Sequence, residues 1–212
     1  YCAPGQVSKA FSLTPPTTNW GRVTAMTLDG NKLYVLDASS RAVWIYDEKE
    51  DENSEETGLF PDAPYFFFGN QIPDIQDAID IAVSGDELYL LHADGRITYC
   101  TYGRIGSVVP TRCDSPVKLV NNFTAYGQTD VFAQAHFTQI ALTSPPDSVL
   151  LLLDAEGRRV YRLGARGFEL QSILSAAVDG FPTGLLGAMV ASPNHILYLT
   201  LGNQVYATND AP

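Results

Sequence analysis

The segment LYVLDASSRAVWIY, residues 33–46, decides the fold of this chain. Its apolar run ends in an Asp, a short polar turn follows, and an Arg then leads into a second largely apolar run. Two strands joined by a tight hairpin have this pattern, because strands are apolar and the turn between them is polar. The sequence therefore predicts a β-hairpin at residues 33–46.

The same pattern returns three more times along the chain. It reads LYLLHADGRITYC at residues 88–100, LLLLDAEGRRVYRL at 150–163 and LYLTLGNQVYAT at 197–208. Units of roughly 50 residues that contain only strands are typical of the blades of a β-propeller. We therefore predict an all-β fold, a β-propeller with four recognisable blades of about four antiparallel strands each.

The repeats divide a single predicted propeller domain over residues 1–212. Residues 1–18 are interpreted as the outer strand of a preceding or closing blade, because Tyr1-Cys2 resembles the strand end Tyr99-Cys100. The four blades either close on themselves or form the C-terminal part of a larger, six-bladed type of propeller. We favour the second, since four-bladed closure is uncommon. The expected blades lie at about 19–70, 75–125, 135–176 and 184–208.

The repeat resembles the NHL-type repeat of six-bladed propellers, in which an apolar pair with Tyr precedes a Val-x-Asp step, a polar turn, an Arg and an alternating strand. Blade one matches at Tyr34, Val35, Asp37, Arg41, Val43 and Trp44, and blade three at Asp154, Arg158, Val160 and Tyr161. Blade two keeps Arg96 but has His92 where Asp is expected, and blade four has neither residue. The resemblance spans most of the chain and implies an architecture, not an activity.

The composition narrows the possible partners. The chain has 212 residues, of which 45% are hydrophobic and 17% charged, and its formal net charge is −11. A nucleic acid or an anionic membrane surface would be repelled by this charge. No apolar run approaches the roughly 20 residues that span a bilayer. We therefore expect a protein or small-molecule ligand, no nucleic acid, and no transmembrane segment in this chain.

Two of the three cysteines are positioned to pair. Cys100 ends one predicted strand and Cys113 opens the next segment, so the two lie at the feet of one hairpin. We predict a disulfide between them, with Cys2 left over. The alternative is a pair of free thiols in a reducing cytosol. A similarity to bacterial extracytoplasmic propellers attached to membrane-anchored signalling proteins favours an extracytoplasmic or secreted location, with a membrane-anchored parent protein as one possibility.

A ligand site is expected at the propeller axis, where the inner strands of successive blades converge. Aligning these strands on Met26, Ile81, Ile140 and Met189 brings a row of polar residues to the axial rim. This row is not a recognisable ligand set for a metal, so we predict neither a metal nor a cofactor. The candidate ligand-binding residues are Arg22, Asp77, Asp80, His136 and Gln139.

The three histidines have different expected roles. His92 replaces the turn Asp of its blade and is expected to form a hydrogen bond within its hairpin, whereas His195 is expected to be solvated. His136, on the axial row, is the one histidine to test for catalysis.

The sequence carries no motif of a nucleophilic or zinc-dependent hydrolase, such as Gly-x-Ser-x-Gly or His-Glu-x-x-His. The leading hypothesis is therefore a non-enzymatic propeller module for protein or ligand recognition, the sensing or scaffolding portion of a larger extracytoplasmic bacterial protein. One alternative is a metal-dependent propeller hydrolase or lyase with an axial site around His136. Another is a purely structural repeat in an adhesion or surface-layer protein.

Overall fold

The computed structural model describes residues 13–16, 20–48, 63–69, 71–103, 110–123, 130–143, 148–175, 183–192, 194 and 196–209. These residues form four small antiparallel sheets, arranged as a four-bladed β-propeller. No α-helix occurs in these ranges, and so none there could cross a membrane. The predicted fold class is confirmed.

Each of the first three sheets has four strands in chain order, from the innermost to the outermost. The first contains β1 (Val23–Asp29), β2 (Lys32–Asp37), β3 (Ala42–Asp47) and β4 (Tyr65–Phe66). The second contains β5 (Ala78–Ser84), β6 (Glu87–His92), β7 (Ile97–Thr101) and β8 (Arg112–Asp114). The third contains β9 (Phe137–Leu142), β10 (Val149–Asp154), β11 (Arg159–Gly164) and β12 (Leu170–Ser175). The fourth has three described strands, β13 (Leu186–Ala191), β14 (Ile196–Leu201) and β15 (Gln204–Asn209).

The hairpins between the first and second strands of blades one and two turn on glycine. Gly30 and Gly85 have φ values of 58° and 60°, in the left-handed region that glycine adopts without a steric penalty. These turns place Asp29 and Asp86 side by side at one end of the two blades, where both line a single cleft.

The blades are held together by apolar clusters between neighbouring sheets. On β6, Leu88 and Leu90 pack towards blade one, whereas Tyr89 and Leu91 pack towards blade three. A third cluster joins blades three and four. Because successive residues of a strand point to opposite faces, a sheet that is covered on both faces needs an unbroken apolar run. This is why the repeat reads LYLL instead of an alternating pattern.

Apolar residues are exposed on the faces of blades one and four that do not pack against blades two and three. Met26 and Leu28 on β1 are 70% and 64% exposed, and Val190 and Val205 in blade four are 61% and 67% exposed. Membership of a larger propeller, the domain limits and the blade boundaries stay predictions. The outer strand expected within residues 1–18 lies largely outside the described residues.

The predicted disulfide is confirmed. Cys100 on β7 and Cys113 on β8 are direct partners in the antiparallel register, with their Cα atoms 4.1 Å apart, and their sulfurs are bonded. The bond ties the three-residue outer strand β8 to the rest of blade two. The alternative of two free thiols is wrong for this pair, and Cys2 lies outside the described residues.

Replacing both cysteines, as Cys100→Ala with Cys113→Ala, should lower the free energy of unfolding by about 3 kcal/mol, because a short loop is no longer closed in the unfolded chain. Urea unfolding of the oxidised protein measures this loss. Treatment of the native sequence with a reductant should reproduce it and should leave the double variant unchanged. Equal stability of the variant and the oxidised native protein would contradict the prediction.

Candidate functional site

The inner strands of the four blades surround a cavity of about 380 Å³. Of the five residues predicted for the axial site, Asp80 and Gln139 line this cavity. Arg22, Asp77 and His136 do not line it; they precede the first strands of blades one, two and three. The structure therefore divides the predicted row into two groups.

Asp80 connects the inner strands of blades two and three. Its carboxylate accepts a hydrogen bond from the backbone N–H of Ile140 at 2.8 Å and another from that of Ile81 at 2.9 Å. Burial raises the pKa of Asp80, and the two backbone donors offset part of that increase. The carboxylate thus accepts hydrogen bonds from backbone N–H groups of two neighbouring inner strands.

Gln139 makes the equivalent connection between blades three and four. Its Nε2 donates to the Met189 carbonyl at 2.8 Å, and its Oε1 accepts from the Met189 N–H at 2.7 Å. The inner strand of each blade is a sheet edge, and its unpaired backbone groups need partners when they are buried. Asp80 and Gln139 supply those partners, which is a structural role for two of the predicted binding residues.

The other members of the row have different surroundings. The Arg22 side chain is exposed, and its backbone N–H donates to Ser39 Oγ at 2.6 Å. His136 is also exposed and makes no hydrogen bond with any residue in the described ranges. His195 lies outside them. A ligand contact at the axial row stays a prediction.

Asp77 belongs to a charged network at the start of blade two. Its carboxylate accepts hydrogen bonds from Arg96 Nη2 at 2.6 and 2.8 Å, and Asp77 Oδ1 lies 2.7 Å from His92 Nδ1. Partial burial would raise the pKa of Asp77, but the contacts with His92 and Arg96 outweigh it and lower the pKa. Asp77 is therefore an ionised partner for both residues at neutral pH.

The network continues through His92 across the whole blade. His92 Nε2 lies 2.8 Å from Thr98 Oγ1, which lies 2.6 Å from Ser115 Oγ. This links the residue before β5 to β6, to β7 and to the chain after β8. The Asp–His–hydroxyl order resembles a nucleophilic triad, but His92 and Thr98 are fully buried, so a substrate has no access to the Thr98 hydroxyl. The expected hydrogen bond of His92 within its hairpin is present.

In blade one, an Asp makes the connection that His92 makes in blade two, between the end of the second strand and the residues before the first strand. Asp37 occupies the position of His92, and its carboxylate accepts from the N–H groups of Gly21 at 2.7 Å and Ser40 at 3.2 Å. Burial would raise the pKa of Asp37, but these donors lower it. A side chain in place of Gly21 would have its Cβ 2.6 Å from that carboxylate, so the close approach requires glycine.

A cleft larger than the axial cavity lies elsewhere, between blades one and two. This cleft has a volume of about 810 Å³. We call it the inter-blade cleft, and its charged and aromatic lining consists of Asp29, Lys32, Tyr34, Tyr65, Asp86 and Tyr102. Sequence reasoning missed it, because its residues come from turns and strands of two blades. The sequence feature that could have indicated the cleft is Tyr34, at a repeat position that is also Tyr in blades two and four.

Several polar side chains that line the cleft have partners within the chain. Asp29 Oδ2 accepts from the Gly85 N–H at 2.7 Å, which joins the two turns. Lys32 forms an ion pair with Asp47 and donates to the Tyr65 hydroxyl at 2.9 Å. Burial would lower the pKa of Lys32, but the hydrogen bonds with Asp47 and Tyr65 raise it, so this side chain is cationic.

Tyr34 is the most buried of the polar residues that line the cleft. It is 3% exposed, and burial, followed by the charge of Asp29, raises its pKa to about 12. The phenol is therefore neutral at physiological pH and can donate as well as accept a hydrogen bond.

No group of three or more His, Cys, Asp or Glu side chains in the described ranges is arranged to hold a metal ion. No family model matches the sequence, and no curated protein matches it. Solved structures do match. The chain is similar to Kluyveromyces lactis Hsv2, with 10% identity, a TM-score of 0.51, and coverage of 92% of this chain and 51% of that chain.

Two further structures are similar. The computationally designed Ika4 protein has 12% identity and a TM-score of 0.51, with coverage of 95% of this chain and 99% of that chain. Myxococcus xanthus glutaminyl cyclase has 13% identity and a TM-score of 0.48, with coverage of 92% of this chain and 69% of that chain. For Hsv2 and Ika4, at 10% and 12% identity, the likeness is one of fold alone, and the chain spans about half the length of Hsv2.

Gln139→Ala should lower the free energy of unfolding by about 1–2 kcal/mol, because two backbone groups of Met189 lose their partner. Hydrogen exchange of the Met189 amide, followed by NMR, should become at least about tenfold faster. Gln171→Ala removes an exposed amide that accepts from Arg162 Nε and should change neither quantity. An unchanged Met189 exchange rate would show that Gln139 does not hold the inner strands together.

Asp77→Asn should destabilise the protein by about 1 kcal/mol at pH 7, a small value because the carboxylate is partly exposed. The folded-state pKa of Asp77 is lowered, so its stabilising contribution is complete above the ordinary Asp pKa of about 4 and is lost as the pH falls through the folded-state value. The difference in Tm between native protein and variant should therefore shrink below about pH 4. The control Asp74→Asn should show no such convergence, and a pH-independent difference for Asp77→Asn would contradict the ion-pair role.

Proposed function

We propose that this chain is a non-enzymatic β-propeller module that recognises a protein or small-molecule ligand. The inter-blade cleft carries the proposal. Its volume of about 810 Å³ falls in the range of ligand sites, roughly 300–1,000 Å³, and its lining combines aromatic rings with a few polar groups. At the axis, by contrast, Asp80 and Gln139 are already bonded to backbone. The cleft is therefore the better-formed recognition site.

The proposal extends to the setting of the module. The repeat residues support an NHL-like propeller, and the disulfide between Cys100 and Cys113 supports an oxidising, extracytoplasmic or secreted location. We propose that the chain is the sensing or scaffolding portion of a larger bacterial protein, and that this parent protein is anchored at a membrane. A second ligand contact at the axial row of Arg22, Asp77, Asp80, His136 and Gln139 is a subsidiary proposal.

The rival function, a metal-dependent hydrolase or lyase around His136, lacks support from contacts. His136 is exposed, and no acidic or nucleophilic side chain in the described ranges pairs with it. A general base needs a partner that orients it, and a metal site needs several converging ligands.

An NMR fragment screen on ¹⁵N-labelled protein tests the proposed function. Fragments should shift the amides of Gly30, Asn31 and Gly85 in the turns at the inter-blade cleft, and they should leave the axial strands largely unaffected. Elemental analysis of the purified protein provides the opposing test. Stoichiometric zinc or calcium, together with a chelator-sensitive hydrolysis of phenyl acetate or of a simple lactone, would show that the protein is a metal-dependent enzyme. It would contradict the proposed recognition function.

A further inference from the structure

Each sheet has two faces with different neighbours. We call the face that packs on the preceding blade the leading face, and the face that packs on the following blade the trailing face. On the leading faces of blades two, three and four, Ile81, Ile140 and Met189 are buried against the preceding blade. Met26 pairs with the same position of the second strand as these residues do, but it is 70% exposed. Blade one therefore exposes an apolar side chain where the other blades bury one.

The same difference holds along the whole inner strand of blade one. Val23 and Leu28 are also exposed. Val23 pairs with the last residue of the second strand, and the residues that make this pairing in the other blades are all buried between sheets: Ala78, Phe137 and Leu186. The inner strand of blade one thus has the apolar pattern of a strand that is covered by a preceding blade.

The trailing face of blade four shows the matching difference. Val190, Tyr198 and Val205 are exposed on this face. The residues equivalent to Tyr198 and Val205 in blades one to three are buried between sheets, at Tyr34, Tyr89 and Leu151 and at Val43, Ile97 and Val160. Contiguous exposed apolar side chains mark an interaction surface in a folded protein. The chain therefore presents two such surfaces, one at each end of its row of blades.

The repeat indicates what these two surfaces bind. A leading face packs on a trailing face at all three interfaces within the chain, and the chain exposes one face of each kind. The exposed Val, Met, Leu and Tyr side chains carry no charge, so the formal net charge of −11 does not oppose their contact directly. A second copy of the chain supplies the partner for both faces at once.

We propose that the chain associates with a second copy head to tail, so that the leading face of blade one in each copy packs on the trailing face of blade four in the other. A two-fold rotation about the propeller axis makes the two contacts identical and closes a ring that contains the four sheets of each copy. The larger propeller that the repeat predicts is then assembled from two chains. This surface is separate from the inter-blade cleft and does not depend on the proposed function.

Sedimentation velocity of the 212-residue chain tests the proposal. At a chain concentration of about 100 µM we expect a species with twice the 23.1 kDa mass of one chain. The Tm should rise with chain concentration, because association that requires the folded state stabilises it.

Two double variants block one face each. Met26→Glu with Leu28→Glu changes the leading face of blade one, and Val190→Glu with Val205→Glu changes the trailing face of blade four. Each should weaken the dimer at least about a hundredfold, since carboxylates buried without partners are costly. These four side chains are exposed in the single chain, so the Tm at low concentration should not change. The matched control, Ile72→Glu with Phe123→Glu, alters exposed apolar residues outside both faces and should leave the dimer unchanged.

A mixture of the two double variants distinguishes a head-to-tail contact from other arrangements. Each variant alone has glutamates in both contacts of its dimer. The mixed dimer has one contact free of glutamates, because the trailing face of one variant and the leading face of the other are intact. The mixture should therefore associate at least about tenfold more tightly than either variant alone, and more weakly than the native chain.

Four results would overturn the proposal. A chain that stays monomeric at this concentration would show that the two faces do not bind a second copy and would leave them to further blades of a parent protein. A dimer that tolerates both double variants would have its contact elsewhere on the surface. A mixture that associates no better than its components would exclude the head-to-tail contact. Growth into larger oligomers would show that the contact does not close after two copies.

Discussion

The fold depends on the burial of both faces of each interior sheet. Blade two places Leu88 and Leu90 against blade one and Tyr89 and Leu91 against blade three, so neither neighbour can be removed without exposing a row of large apolar side chains. Hydrophobic burial of this kind has no direction of its own. The alternation of side chains along each strand gives it direction, because it assigns every second residue to one neighbouring blade.

Face-to-face packing does not provide hydrogen-bond partners for the backbone groups at the inner edge of each sheet. The edge strands β5, β9 and β13 present backbone groups to a narrow cavity, and unpaired groups there would be costly. Asp80 and Gln139 meet this need for Ile140 and Met189. A polar residue near a propeller axis can therefore be a structural necessity, and its presence alone does not indicate a ligand.

The other end of the blades shows how one structural task can be carried out by different residues. In blade one the Asp37 carboxylate at the end of β2 binds the backbone of Gly21 before β1. In blade two the acidic residue is Asp77, which precedes the inner strand β5, and its partner is His92 at the end of β6. Blade two therefore keeps this connection although His92 replaces the Asp of the repeat. The Tyr34 side chain lines the inter-blade cleft, where its hydroxyl has no hydrogen-bond partner among the described residues.

The sequence by itself determined the strands, the hairpins and the disulfide. Local information suffices for these features: strand periodicity, Asp-Gly turns and two cysteines at the feet of one hairpin all lie within short segments. It also placed Asp80 and Gln139 on the axial side of their strands. Only the tertiary structure decided that their polar groups bind the backbone of the next blade, and that Asp29 and Tyr34 of one blade meet Asp86 and Tyr102 of the next. Contacts between blades depend on how twisted sheets pack in three dimensions, and no residue pattern within a single repeat records that geometry.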